Sequence, residues 1–242
     1  MIQRWHVVGL AASLGVCACS LLPVASDSRT WASYSMMDSP TTGVLWAEGQ
    51  PASKFEWVPV SATESHVLWG DPAHWPPTYR ERFIRRGDWV MLDGWWGNGT
   101  YYQLHMDQES ICSADCTGCR PLPAGRSQHY ALWRAPAAGY CMRAQGRIVA
   151  ESGAGTVRFA HDQVYMPGLP CANAHVLHAE CLMQRETWAD DNGSPYGPKL
   201  DRVNFLAAGW GPGFLIFQTV PSVWRAELRP IKALSLPCAT CP

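Results

Sequence analysis

At 242 residues the chain can form one large domain or two small ones with a sizeable core. A composition 47% apolar and 16% charged excludes a chain that stays unfolded, and a formal charge of -1 without like-charge runs argues against a nucleic-acid partner. Nineteen prolines and 21 glycines leave little room for long helices, and ten cysteines raise a redox question that turns on the compartment.

The first twenty residues have the layout of an export signal: Arg4 and His6, an apolar run from Val7 to Val16, then a small-residue exit. The run is too short to span a bilayer. The exit Val16-Cys17-Ala18-Cys19 resembles a bacterial lipobox, with an aliphatic residue three places and a small residue one place before the modified cysteine. The resemblance implies a signal peptide of residues 1–18, lipidation of Cys19 and a membrane partner reached through the lipid. Cleavage after Ser26, giving a soluble exported protein, is the alternative.

Removing Cys17 and lipidating Cys19 leaves eight cysteines: Cys112, Cys116, Cys119, Cys141, Cys171, Cys181, Cys238 and Cys241. An even set in an exported chain predicts disulfides and needs no metal or cofactor. Cys116/Cys119 and Cys238/Cys241 are also two Cys-x-x-Cys pairs, so a zinc-stabilised partner-binding module is a further alternative.

Residues 19–43 read as a tether and residues 44–242 as a single β-rich domain. Short β-branched and aromatic runs recur between turn residues: Val44–Trp46, Phe55–Val60, His66–Trp69, Trp89–Leu92, Tyr101–Met106, Thr156–Phe159, Val203–Leu206 and Phe214–Val220. They predict an all-β fold, a β-sandwich or jelly roll, stapled by disulfides and with at most one short helix. Ala172–Trp188 is the candidate helix, although Cys181–Trp188 also suits a strand. On a helix His175 and His178 would share a face beside Glu180; surface histidines are the simpler reading.

Two Asn-Gly dipeptides predict tight turns, Asn192-Gly193 and Asn98-Gly99. Centring a hairpin on the second pairs Trp96 with Tyr101, Gly94 with Gln103, Leu92 with His105 and Val90 with Asp107. Alternation then puts Trp89, Met91, Trp95, Tyr102, Leu104 and Met106 on a core face. The opposite face carries Val90, Leu92, Gly94 and Trp96 beside Tyr101, Gln103, His105, Asp107 and Glu109. Trp96 and Tyr101 would give a sugar ring an aromatic platform, and Gly94 would leave room beside Gln103. His105 can exchange protons near neutral pH.

Two family resemblances touch this strand. His105-Met106-Asp107-Gln108-Glu109 resembles the Glu-x-Asp-x-Glu strand of laminarinase-type glycoside hydrolases, a jelly-roll family; His105 stands where that family has its nucleophile. Arg80-Glu81-Arg82 followed by Gln103-Leu104-His105 resembles motifs of jelly-roll alginate lyases. That resemblance implies His105 as base, with Gln103 and Arg82 neutralising a substrate carboxylate. The residues and signal together predict an exported, lipid-anchored envelope protein acting as a binding or structural module, with polysaccharide as the favoured ligand. Trp96, Tyr101, Gln103 and His105 are its expected contacts. A lyase or glycosidase using His105, Gln103, Arg82, Asp107 and Glu109 is the alternative.

Overall fold

The computed structural model describes residues 30–31, 41–47, 53–77, 79–153, 156–172, 177–191, 199–207, 211–220 and 224–230. The signal, Cys17, Cys19, His175, Asn192-Gly193, Cys238 and Cys241 lie outside the described residues.

The strands are β1 (Thr41–Ala47), β2 (Ser53–Ser61), β3 (Glu64–Gly70), β4 (Arg80–Arg86), β5 (Trp89–Gly97), β6 (Thr100–Cys112) and β7 (Arg120–Leu122). They continue with β8 (Gln128–Leu132), β9 (Tyr140–Ala150), β10 (Thr156–Ala172), β11 (Leu177–Asp190), β12 (Lys199–Ala207), β13 (Gly211–Val220) and β14 (Trp224–Pro230). Among the described residues a 3-10 turn, Pro72–His74, interrupts them. The all-β expectation holds, and every expected strand lies within an observed one.

All pairings are antiparallel, and they close on themselves. Consecutive strands pair from β1 to β6 and from β9 to β14, β6 pairs with β9, and β14 returns to β1. Among the described residues twelve strands therefore form an up-and-down ring, whose open edges are confined to the short strands β7 and β8. β7 and β8 are additions where the ring parts. The end of β5, Gly94–Gly97, pairs with β6, whereas Trp89–Leu92 pairs with β8. Beyond the parting, Glu109–Ile111 of β6 pairs with β7.

Inside the ring lies one aromatic-rich core. Trp57 stacks on Phe83, Phe83 meets Tyr130 edge-on, and Tyr140 stacks on Tyr165. Trp31, within the stretch read as a tether, is 4% exposed and packs edge-on against Tyr130 and Tyr165. The outer wall carries exposed ion pairs such as Arg143–Asp162 at 3.3 Å and Arg147–Asp107 at 3.1 Å.

The helix considered over Ala172–Trp188 does not form across its described part. Leu182, Gln184, Glu186 and Trp188 are buried in alternation between β10 and β12, a period of two that only a strand can satisfy. His178 consequently sits on a strand, and its Nδ1 lies 2.8 Å from the Glu180 carbonyl oxygen.

Three disulfides occur among the described residues: Cys112–Cys119, Cys116–Cys141 and Cys171–Cys181. Cys112 and Cys141 are ladder partners, yet each bonds to a cysteine of the intervening loop. The Cys116/Cys119 pair is thus divided between two bridges, and its thiolates are not available to zinc.

Candidate functional site

The predicted hairpin is present. Asn98 and Gly99 both have positive φ, 50° and 77°, and the register pairs Gly97 with Thr100, Trp96 with Tyr101 and Gly94 with Gln103. Beyond Gly94 the expectation fails because Asp93 is a bulge: Arg82 pairs with Gly94 and Phe83 with Leu92, leaving Asp93 as the extra residue. The inserted residue reverses the phase of the strand. Val90 and Leu92 join Trp95 in the core, while Gly94 and Trp96 face outward.

A second bulge acts on β6. Met106 pairs with Gly146 and Gln108 with Gln145, so Asp107 is the extra residue. His105 stays on the outer wall opposite Arg147, and Asp107 binds Arg147 there. Glu109 swings inward to 4% exposure, where it accepts from the His129 backbone N–H at 2.8 Å and from His129 Nδ1 at 2.7 Å. The bulge therefore separates Glu109 from the His105 face on which it was expected.

The outer wall over β3–β6 gathers the other predicted residues. Arg82 donates from Nε and Nη2 to the two Glu64 oxygens at 3.0 and 3.1 Å, and from Nη1 to Asp93 at 3.0 Å. Tyr101 donates to the same Asp93 oxygen at 2.7 Å, and Ser127 donates to the other. Hydrogen bonding from Arg82 holds the Glu64 carboxyl below its usual range, against the opposing effect of burial. Burial, and then the Asp93 carboxylate, push the Tyr101 hydroxyl well up. His66 is lowered by burial first, with the Arg80 and Arg82 cations adding to the effect and Glu64 opposing it.

Beside this knot runs a row of rings. The Arg80 guanidinium lies 3.8 Å from the Trp96 ring centre, Tyr101 is 4.5 Å away from the neighbouring strand, and His66 meets Trp96 edge-on at 5.3 Å. Trp96 is the middle of a row and not a bare platform. The space above Gly94 is also taken: a Cβ there would lie 2.9 Å from the Tyr101 hydroxyl. Gly94 makes room for Tyr101 to reach Asp93, not for a ligand. Arg82 thus spends three donors on two carboxylates.

The strongest polar cluster lies inside the ring, and the sequence reading did not single it out. Three cross-strand rows, His161–Trp188–Leu200, Gln163–Glu186–Arg202 and Tyr165–Gln184–Asn204, point into the core. His161 Nε2 lies 3.3 Å from Glu186, and Arg202 binds the other Glu186 oxygen. With its proton on Nε2, His161 donates to Glu186 while its Nδ1 accepts from Gln128 at 2.9 Å. Burial alone would raise the Glu186 carboxyl, but Arg202 and then His161 outweigh it and hold the pKa at about 2. A signal did exist: polar residues at the same parity as Phe159, Tyr165, Trp188 and Leu206.

Two cavities, of about 20 and 50 Å³, open between these residues and the aromatic core. Both touch Glu81, Phe83, Tyr130 and Arg202, and the second also touches Trp57. Such volumes admit water but not a drug-sized ligand. A water in the larger one would satisfy Trp57 Nε1, which has no partner among the described residues.

The class defined by these observations is a closed, antiparallel, disulfide-stapled β-ring with a polar-lined core. Comparison with known proteins finds no matching family model, no matching curated protein and no matching solved structure.

Proposed function

We propose that this protein is an exported module of the cell envelope, tethered through lipid on Cys19, that binds polysaccharide on the outer wall of β4–β6. Three disulfides support an oxidising compartment. The observation that carries the binding reading is the Trp96–Tyr101 row with Gln103 and His105 following it outward along β6, all partly open to solvent. Ring edges and amide groups in such a row contact sugar hydroxyls and C–H groups together. Catalysis is disfavoured by the committed donors of Arg82 and the inward turn of Glu109.

A polysaccharide screen of the exported domain, reading both retention and cleavage, tests the proposal. Trp96→Ala should abolish retention while near-UV circular dichroism keeps its folded shape. Unchanged retention in that variant overturns the assignment of the face, and appearance of cleaved products replaces binding with enzymatic action.

A further inference from the structure

Strand β4 presents two arginines to the outer wall, and they are differently employed. Arg82 is paired with Glu64 and Asp93. Arg80, two residues earlier on the same face, lies over the Trp96 ring at 3.8 Å and meets no carboxylate among the described residues. A stacked guanidinium is held in one plane while its N–H groups remain open, and that arrangement is suited to carboxylate or phosphate oxygens. Further along the wall, cross-strand register leads from His105 on β6 to two cations, Arg147 on β9 and Arg158 on β10. Arg147 shares its charge with Asp107, whereas Arg158 is exposed and has no acidic partner among the described residues. From β4 to β10 the wall crosses β5, β6 and β9, a path of roughly 20 Å at the usual strand spacing.

We infer that the ligand of this wall is an anionic polysaccharide, lying across the strands with one acidic group on Arg80 and another near Arg158. The inference rests on the carbohydrate reading given above and adds the charge of the ligand to it. Uronate carboxylates and phosphodiesters share the required chemistry. A chain polymer fits better than a single sugar, because the two unpaired cations are separated by several strands.

Polygalacturonate and its fully methyl-esterified form share a backbone but differ in charge, and affinity electrophoresis at two salt concentrations compares them; a glycerol-phosphate polymer covers the phosphodiester case. The wild-type domain should be retarded by at least one charged polymer and not by the ester, with retardation falling as salt rises. Arg80→Gln should weaken binding roughly tenfold to a hundredfold. Arg85→Gln, which removes the comparable stack on Trp133 at 3.8 Å, should leave binding unchanged. Equal binding of ester and acid, lost in Trp96→Ala, would overturn the inference and leave the carbohydrate reading intact. Binding insensitive to both Arg80→Gln and Arg158→Gln, or retention only on anionic lipid vesicles, would also overturn it. If no polysaccharide of either charge binds, both readings fail together.

Discussion

Two arginine-centred clusters, one on the outer wall and one in the core, use nearly the same groups with opposite consequences. Arg82 with Glu64 and Asp93, and Arg202 with Glu186 and His161, each join a guanidinium to acidic and imidazole neighbours. The Glu64 side chain keeps a quarter of its surface in water, whereas that of Glu186 keeps 3%. A carboxylate that water can reach loses little when its partner leaves. A buried one leaves an uncompensated charge. Burial, more than the identity of the pair, sets what each cluster is worth.

The largest break in that comparison should come from Glu186→Gln. It strips the buried acid from Arg202 and His161 and should cost roughly 3 kcal/mol in urea unfolding. The same variant should alter acid stability. The folded pKa of Glu186, about 2, lies below its ordinary 4.5, so its contribution is complete above pH 4.5 and lost as pH falls towards 2. Unfolding midpoints of the wild type should therefore fall across that window, and Glu186→Gln should flatten the fall; a parallel fall in both proteins would refute the assignment.

Asp93→Asn should rank next. Asp93 is 4% exposed although it belongs to the outer cluster, and it accepts from Arg82, Tyr101 and Ser127. Loss of these charge-assisted bonds should cost roughly 2 kcal/mol and release Tyr101, visible in near-UV circular dichroism. Glu64→Gln should matter least, under about 1 kcal/mol and less still in high salt. A cost equal to that of Glu186→Gln would end the distinction between wall and core.

The hairpin at Asn98-Gly99 was readable because turn chemistry is local: two positive φ angles in succession demand those residue types. The bulges at Asp93 and Asp107 were not, since an extra residue in one strand is defined only by its partner across the ladder. They decide which residues share a face, so Trp96, Tyr101, Gln103 and His105 were grouped correctly while Val90, Leu92 and Glu109 were misplaced. Strand β4 was hidden by its charges, for Arg80-Glu81-Arg82 resembles a solvated run until Glu81 and Phe83 are seen to turn inward. On β11 a run of mixed polarity suggested a helix, because polar residues at Gln184 and Glu186 conceal a buried face when only apolar residues are counted. The charge cluster at the heart of the core is made by three strands whose pairing no single stretch reveals.

The pairing of β1 with β14, Gly43 with Pro230 through Ala47 with Ala226, also sets a timetable. The ring cannot close until β14 has been made, well after β1. Until then two edges stay open, and the loop-closure entropy of the most distant pairing is still to be met. Closure, when it comes, is a single event that joins the two ends of the domain. Truncation within β14 should therefore loosen β1 at the far end of the sequence as much as the strands beside the cut.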